Sequence, residues 1–130
     1  MTHMPTGLYI HPFRMVWAAV MTTLLTGYAL AAVAVPTGAA IYSTNCAGCH
    51  GVQARGGTGP ALYKAGNPNY AASWSAALFS RAMLKGQDDK GVAFKAPMPT
   101  FGRVGFAGDH GKAPTPAEIR SLQTYLKSLK

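Results

Sequence analysis

Two thiols and an imidazole stand together at Cys46–Ala47–Gly48–Cys49–His50. Thiols three residues apart can reach the two vinyl groups on one side of a porphyrin and become thioethers. The next residue then sets its imidazole under the iron. The C-x-x-C-H pattern is thus the attachment signal of a c-type haem. Three other chemistries compete for these residues. A dithiol redox site wants a βαβ setting, and this region has none. A zinc site needs a fourth ligand and normally a further thiol, whereas the chain has two cysteines in all. A structural disulfide suits an exported chain but gives His50 no role.

The elements that must position these residues read as helices joined by long loops. Pro36–Thr37 looks like a helix start, with Gly38, Ala39, Ile41 and Tyr42 leading into Cys46. Gly56 to Pro60 is turn chemistry throughout. Ser73 to Lys85 reads as a helix with Trp74, Ala77, Leu78, Met83 and Leu84 on its apolar stripe, stopped by Gly86. Gln87 to Gly111 reads as loop, a length that is unusual inside a small domain unless the loop wraps something functional. The last helix is the clearest: Thr115 caps, Pro116 takes the first helical position and Glu118 completes a T-x-x-E capping box. Ile119, Leu122, Leu126 and Leu129 then share one face. No alternating strand pattern survives inspection, so the fold class is all-α.

Composition agrees with a domain built around a cofactor. The chain has 130 residues, 48% of them apolar, but the run Met15–Val35 carries no charge and contributes 17 apolar residues out of 21. Of the 95 residues from Pro36 to Lys130, 40 are apolar, and 16 of those are alanine. So few large apolar side chains leave a core that something else must fill, because small domains are already marginal in what they can bury. The same arithmetic excludes a multidomain enzyme, a polytopic membrane protein and a disulfide-dense scaffold. Residues 36–130 hold a formal charge of +7, from eleven Lys/Arg against Asp88, Asp89, Asp109 and Glu118. That balance implies acidic partners or a membrane face. The basic residues are spread and no nucleic-acid motif accompanies them, so nucleic acid is not expected.

Residues 1–35 form an export segment. Arg14 precedes an apolar stretch of the length that spans a bilayer as a helix. The same stretch contains an h-region, Val16 to Tyr28, followed by small-residue cleavage sites ending at Ala31 and Ala34. Membrane anchor and cleaved signal peptide are both compatible with it. Either way the charge asymmetry places residues 36–130 on the outer, periplasmic side.

The sequence resembles the class I monohaem cytochromes c over nearly all of residues 37–129. That family has a glycine and an aromatic eight and four residues before the first haem cysteine, matched by Gly38 and Tyr42. Its last helix brings an aliphatic and an aromatic three apart to the same crossing, matched by Leu122 and Tyr125. The resemblance implies three to four helices with long loops around one haem c attached through Cys46 and Cys49, with His50 as proximal ligand. In Gly59–Pro60–Ala61–Leu62, similar to the family's G-P-x-L, it makes the Pro60 carbonyl the acceptor of the proximal imidazole N–H. In Met98–Pro99–Thr100–Phe101–Gly102, similar to its M-P-x-F-G, it makes Met98 the sixth ligand. Met83 is the rival thioether, on a helix stripe where methionine is usually core filler. His110 is the rival imidazole. The chain departs from the family in the long glycine-rich stretch from Gly102 to Pro114.

Filled axial positions leave no site for a small-molecule substrate and imply one-electron transfer rather than catalytic turnover. The expected role is an electron carrier, or the haem subunit of a respiratory or photosynthetic complex, on the periplasmic face of the cytoplasmic membrane. Arg81, Lys85, Lys90, Lys95 and Arg103 bracket Met98 and suit redox partners with acidic docking surfaces. A haem enzyme or gas sensor with a labile sixth ligand is the alternative.

Overall fold

The computed structural model describes residues 34–67 and 69–129. The apolar stretch up to Val33, with its anchor and signal-peptide readings, lies outside them. Among the described residues no helix is long and apolar enough to cross a membrane.

Among the described residues five α-helices follow in order: α1 (Gly38–Asn45), α2 (Ala47–His50), α3 (Ala76–Lys85), α4 (Phe101–Val104) and α5 (Pro116–Ser128). Among these residues a 3-10 turn, Ala71–Ser73, precedes α3. Among the described residues there is no β-strand, and the one bridge pairs Gln87 with Ala93. The all-α expectation holds, with two one-turn helices, α2 and α4, more than the residue pattern revealed.

The helix ends follow local chemistry. The Thr37 hydroxyl accepts from the Ala40 N–H at 3.2 Å and opens α1. In α5 both arms of the capping box form: Thr115 Oγ1 accepts from the Glu118 N–H, and Glu118 Oε2 accepts from the Thr115 N–H at 2.7 Å. The Thr115 hydroxyl also donates to Glu118 Oε2 at 2.7 Å, and this bond first, then the one from the Thr115 N–H, holds the Glu118 carboxyl below its ordinary range. Helix α3 begins three residues later than Ser73, because Ser75 is the residue that caps it, accepting from the Leu78 N–H at 3.2 Å. Trp74 is consequently extended and outside the helix. The buried face of α3 is Phe79, Ala82 and Met83, whereas Ala77 and Leu84 are exposed; the expected stripe is corrected accordingly. Gly86 ends the helix in the left-handed region at φ 65°, as its position suggested.

Packing centres on the crossing of α1 and α5. The Ser121 hydroxyl donates to the Pro36 carbonyl at 3.0 Å, and the Tyr42 and Tyr125 rings meet at 5.3 Å with a 42° tilt. Gly38 sits against the α5 backbone so closely that a Cβ there would overlap Ser121 O and come within 2.7 Å of Tyr125 Cβ. Glycine is needed here for close approach, not for an unusual backbone angle. Ile119, Leu122 and Leu126 line the buried side of α5, joined by Gln123. Gln123 is buried and donates to the Trp74 carbonyl at 2.8 Å, tying α5 to the segment ahead of α3. The apolar pattern passes over this polar residue, and its place four residues after Ile119 is the one signal in the sequence that it faces inward.

Candidate functional site

The chain breaks helical geometry at Cys46 (φ −124°, ψ −37°) and restarts as α2. Cys46 and Cys49 therefore bracket one short turn, with His50 closing it. Cys46 is buried, Cys49 is exposed, and neither is in a disulfide. Burial first, and then the neighbouring Cys49, push the free Cys46 thiol up to about 12. A redox dithiol needs the opposite shift, so this environment suits a sulfur that is covalently capped.

His50 is 6% exposed, and its Nδ1 lies 2.7 Å from the Pro60 carbonyl oxygen. A carbonyl can only accept, so Nδ1 carries the proton and Nε2 keeps its lone pair. The loop that presents Pro60 is folded onto α2 by its backbone. The Gly56 N–H donates to His50 O at 2.9 Å, and the Gly59 N–H donates to Cys49 O at 2.8 Å. A Cβ on Gly59 would stand 3.1 Å from His50 Cε1, so the glycine gives the imidazole room to lie along the loop. Tyr42 braces the same turn from α1, donating its hydroxyl to Gly51 O at 2.5 Å. Burial raises the Tyr42 phenol to about 12, and Cys46 adds to the shift.

Cys46, Cys49, His50, Pro60 and Met98 all line one cavity of about 640 Å³. Its walls include Trp74, Phe79, Leu122 and Leu126. That volume lies within the range of about 300–1,000 Å³ typical of sites for organic ligands. Met83 also reaches this cavity, from the buried face of α3. Met98 comes from a turn in which its N–H donates to Lys95 O at 3.1 Å, and its side chain is half-buried. His110 does not contribute: it is exposed, in the left-handed region at φ 51°, and away from the cavity lining. The donor set fits a haem: two thiols one turn apart, an imidazole with its free nitrogen fixed by a carbonyl, and thioethers in an apolar wall.

The cytochrome c family model matches residues 35–130. The chain belongs to the cytochrome c family. No curated protein and no solved structure matches it. The cofactor of this cytochrome c domain is haem c, bound covalently through Cys46 and Cys49, and its chemistry is haem-based electron transfer. The apolar deficit of residues 36–130 is thereby explained, since their large side chains surround a macrocycle instead of packing only on one another.

The basic residues bracketing Met98 divide. Lys85, Lys90, Lys95 and Arg103 are exposed, and Lys95 lines the cavity. Arg81 is half-buried and bonded, donating through Nη2 to the carbonyls of Asp88 at 2.7 Å and Asp89 at 3.3 Å. It therefore holds the 86–94 turn together and is no member of a solvated ring. The stretch from Gln87 to Gly111 is also more ordered than its composition suggests. It contains α4, whose Gly102 packs directly against the Leu84 backbone of α3.

Proposed function

We propose that this cytochrome c domain carries single electrons with His50 and Met98 as the axial ligands of its haem. The observation that carries this reading is that the C-x-x-C-H turn and Met98, from a separate loop, share one apolar cavity. Haem supplies a one-electron ferric/ferrous couple when bound. His50 supplies a nitrogen fixed by Pro60, and the apolar walls exclude water and disfavour the more highly charged ferric form. Met83 reaches the same cavity, but from a regular helix whose buried face it fills as core. Met98 stands where the family's M-P-x-F-G segment has its ligand.

The working site is the periplasmic face of the cytoplasmic membrane. Residues 15–35 supply the anchor or the export signal, and residues 36–130 act as a diffusing carrier or as the haem subunit of an electron-transfer complex. Exposed Lys85, Lys90, Lys95 and Arg103 support docking to acidic redox partners. One pair of variants tests the ligation. Met98→Ala in the haem-loaded protein should abolish the weak long-wavelength sulfur-to-iron band of the oxidised form and open the site to cyanide, while Met83→Leu should keep both properties of the wild type. The reverse pattern moves the ligand to Met83. A wild type that lacks the band and binds carbon monoxide at once is a haem enzyme or sensor instead.

A further inference from the structure

The stretch between Met98 and α5 is long for this family, and its middle is anchored on the residue that immediately precedes the first haem cysteine. The Asn45 side chain makes two bonds. Its Nδ2 donates to Ile41 O at 2.9 Å within α1, and its Oδ1 accepts the Ala107 N–H at 2.7 Å, across 62 positions of sequence. The turn that presents Ala107 is held by Asp109, whose Oδ2 accepts the Phe106 N–H at 2.7 Å. Phe106 is buried and meets the Phe101 ring at 4.9 Å with a 55° tilt. Phe101, also buried, opens α4 three residues after Met98. Asn45 also stands between two hollows, lining the haem cavity on one side and a pocket of about 110 Å³ shared with Phe106 and Asp109 on the other.

These contacts form one continuous path from Cys46 through Asn45, Ala107, Phe106 and Phe101 to the Met98 segment. We propose that Asn45 is a positioning residue for Met98. Through the 105–109 turn it ties the backbone that carries the proximal attachment to the backbone that carries the distal thioether. This rests on Met98 being the sixth ligand. A thioether is a weak donor, so its hold on the metal depends on how narrowly the surrounding chain limits its excursions. Releasing the turn widens those excursions without altering any residue that touches the haem iron. An Asn at this position, unlike an apolar residue, can bond backward into α1 and outward to the turn at once.

The experiment uses the full haem-loaded chain with cyanide as the probe of methionine detachment in the oxidised state. Asn45→Ala and Asp109→Ala release the turn from either side, so one remains informative where the other yields little holoprotein. Asn45→Asp keeps an acceptor for the Ala107 N–H. In the two alanine variants the sulfur-to-iron band should weaken, and cyanide should bind about three- to tenfold faster, the shift that losing one hydrogen bond of ordinary net strength permits. Asn45→Asp, which keeps the acceptor but loses the donor to Ile41 O, should fall between wild type and Asn45→Ala. If both alanine variants keep the band and the wild-type cyanide rate while only their melting temperatures fall, the side chain is merely structural and the proposal is overturned. A wild type without the band removes the Met98 ligation itself, and this proposal with it.

Discussion

Nδ1 of His50 lies 2.7 Å from the carbonyl oxygen of Pro60, ten residues further along the chain. The bond makes the imidazole a better donor at its other nitrogen, which favours the ferric state. Proline fixes φ and so limits where that carbonyl can point. Pro60→Ala keeps the carbonyl and loosens its placement. The midpoint potential should rise by ~10–60 mV, the upper figure being a tenfold change for one electron. Redox titration of the haem-loaded protein measures this, and a fall in potential would contradict the proposed role of the bond.

Gly38 answers to a different constraint, contact with the α5 backbone. Gly38→Ala places a methyl group against Ser121 O and Tyr125 Cβ, so the crossing must open. Overpacking of this kind costs about 1–3 kcal/mol, or ~5–20 °C in melting temperature for a domain of this size. Gly48→Ala is the matched control, because a Cβ there meets nothing within 4 Å. A thermal melt followed by circular dichroism should separate the two variants clearly. Equal melting temperatures would mean that α1 and α5 are not so closely apposed in solution.

Tyr42 makes stability depend on alkaline pH. Its phenol titrates near 10 when unfolded and is pushed up to about 12 in the fold by burial. Between those values the unfolded chain releases a proton that the folded chain retains, so the contribution is complete below pH 10 and is lost as pH rises toward 12. Tyr42→Phe lacks this titration and also the bond to Gly51 O. Urea melts from pH 8 to 12 should show wild type ahead by about 1 kcal/mol at the low end, with the gap closing and then reversing as pH rises. A gap that stays constant to pH 12 would exclude a shifted Tyr42.

How far the fold was legible depended on how local its causes are. Helix α5 could be read whole, since Thr115, Pro116, Glu118 and the Ile119–Leu122–Leu126 spacing all lie within the helix. The C-x-x-C-H turn was equally local. The start of helix α3 is ambiguous in sequence because Ser73 and Ser75 are both plausible caps, and only the extended backbone at Trp74 chooses between them. Helix α4 was hidden because four residues carry no period, and Gly102 is explained by the α3 backbone it touches. The cavity alone does not separate Met83 from Met98, since both line it. Asn45 and Asp109 gave no signal because their partners are set by the folding of a loop whose length is particular to this chain.

The bond from Ser121 to Pro36 spans 85 positions, so the central crossing of the domain joins its earliest helix to its latest. A chain made or exported from its amino end displays Cys46 and Cys49 well before α5 exists to enclose them. Loop closure over such a distance is slow compared with helix formation. The topology thus builds in a delay. During it the cavity that Leu122 and Leu126 help to wall is still open, whereas in the finished domain Cys46 is buried. Timing, and not only shape, is encoded by placing the two halves of the clasp at opposite ends of the domain.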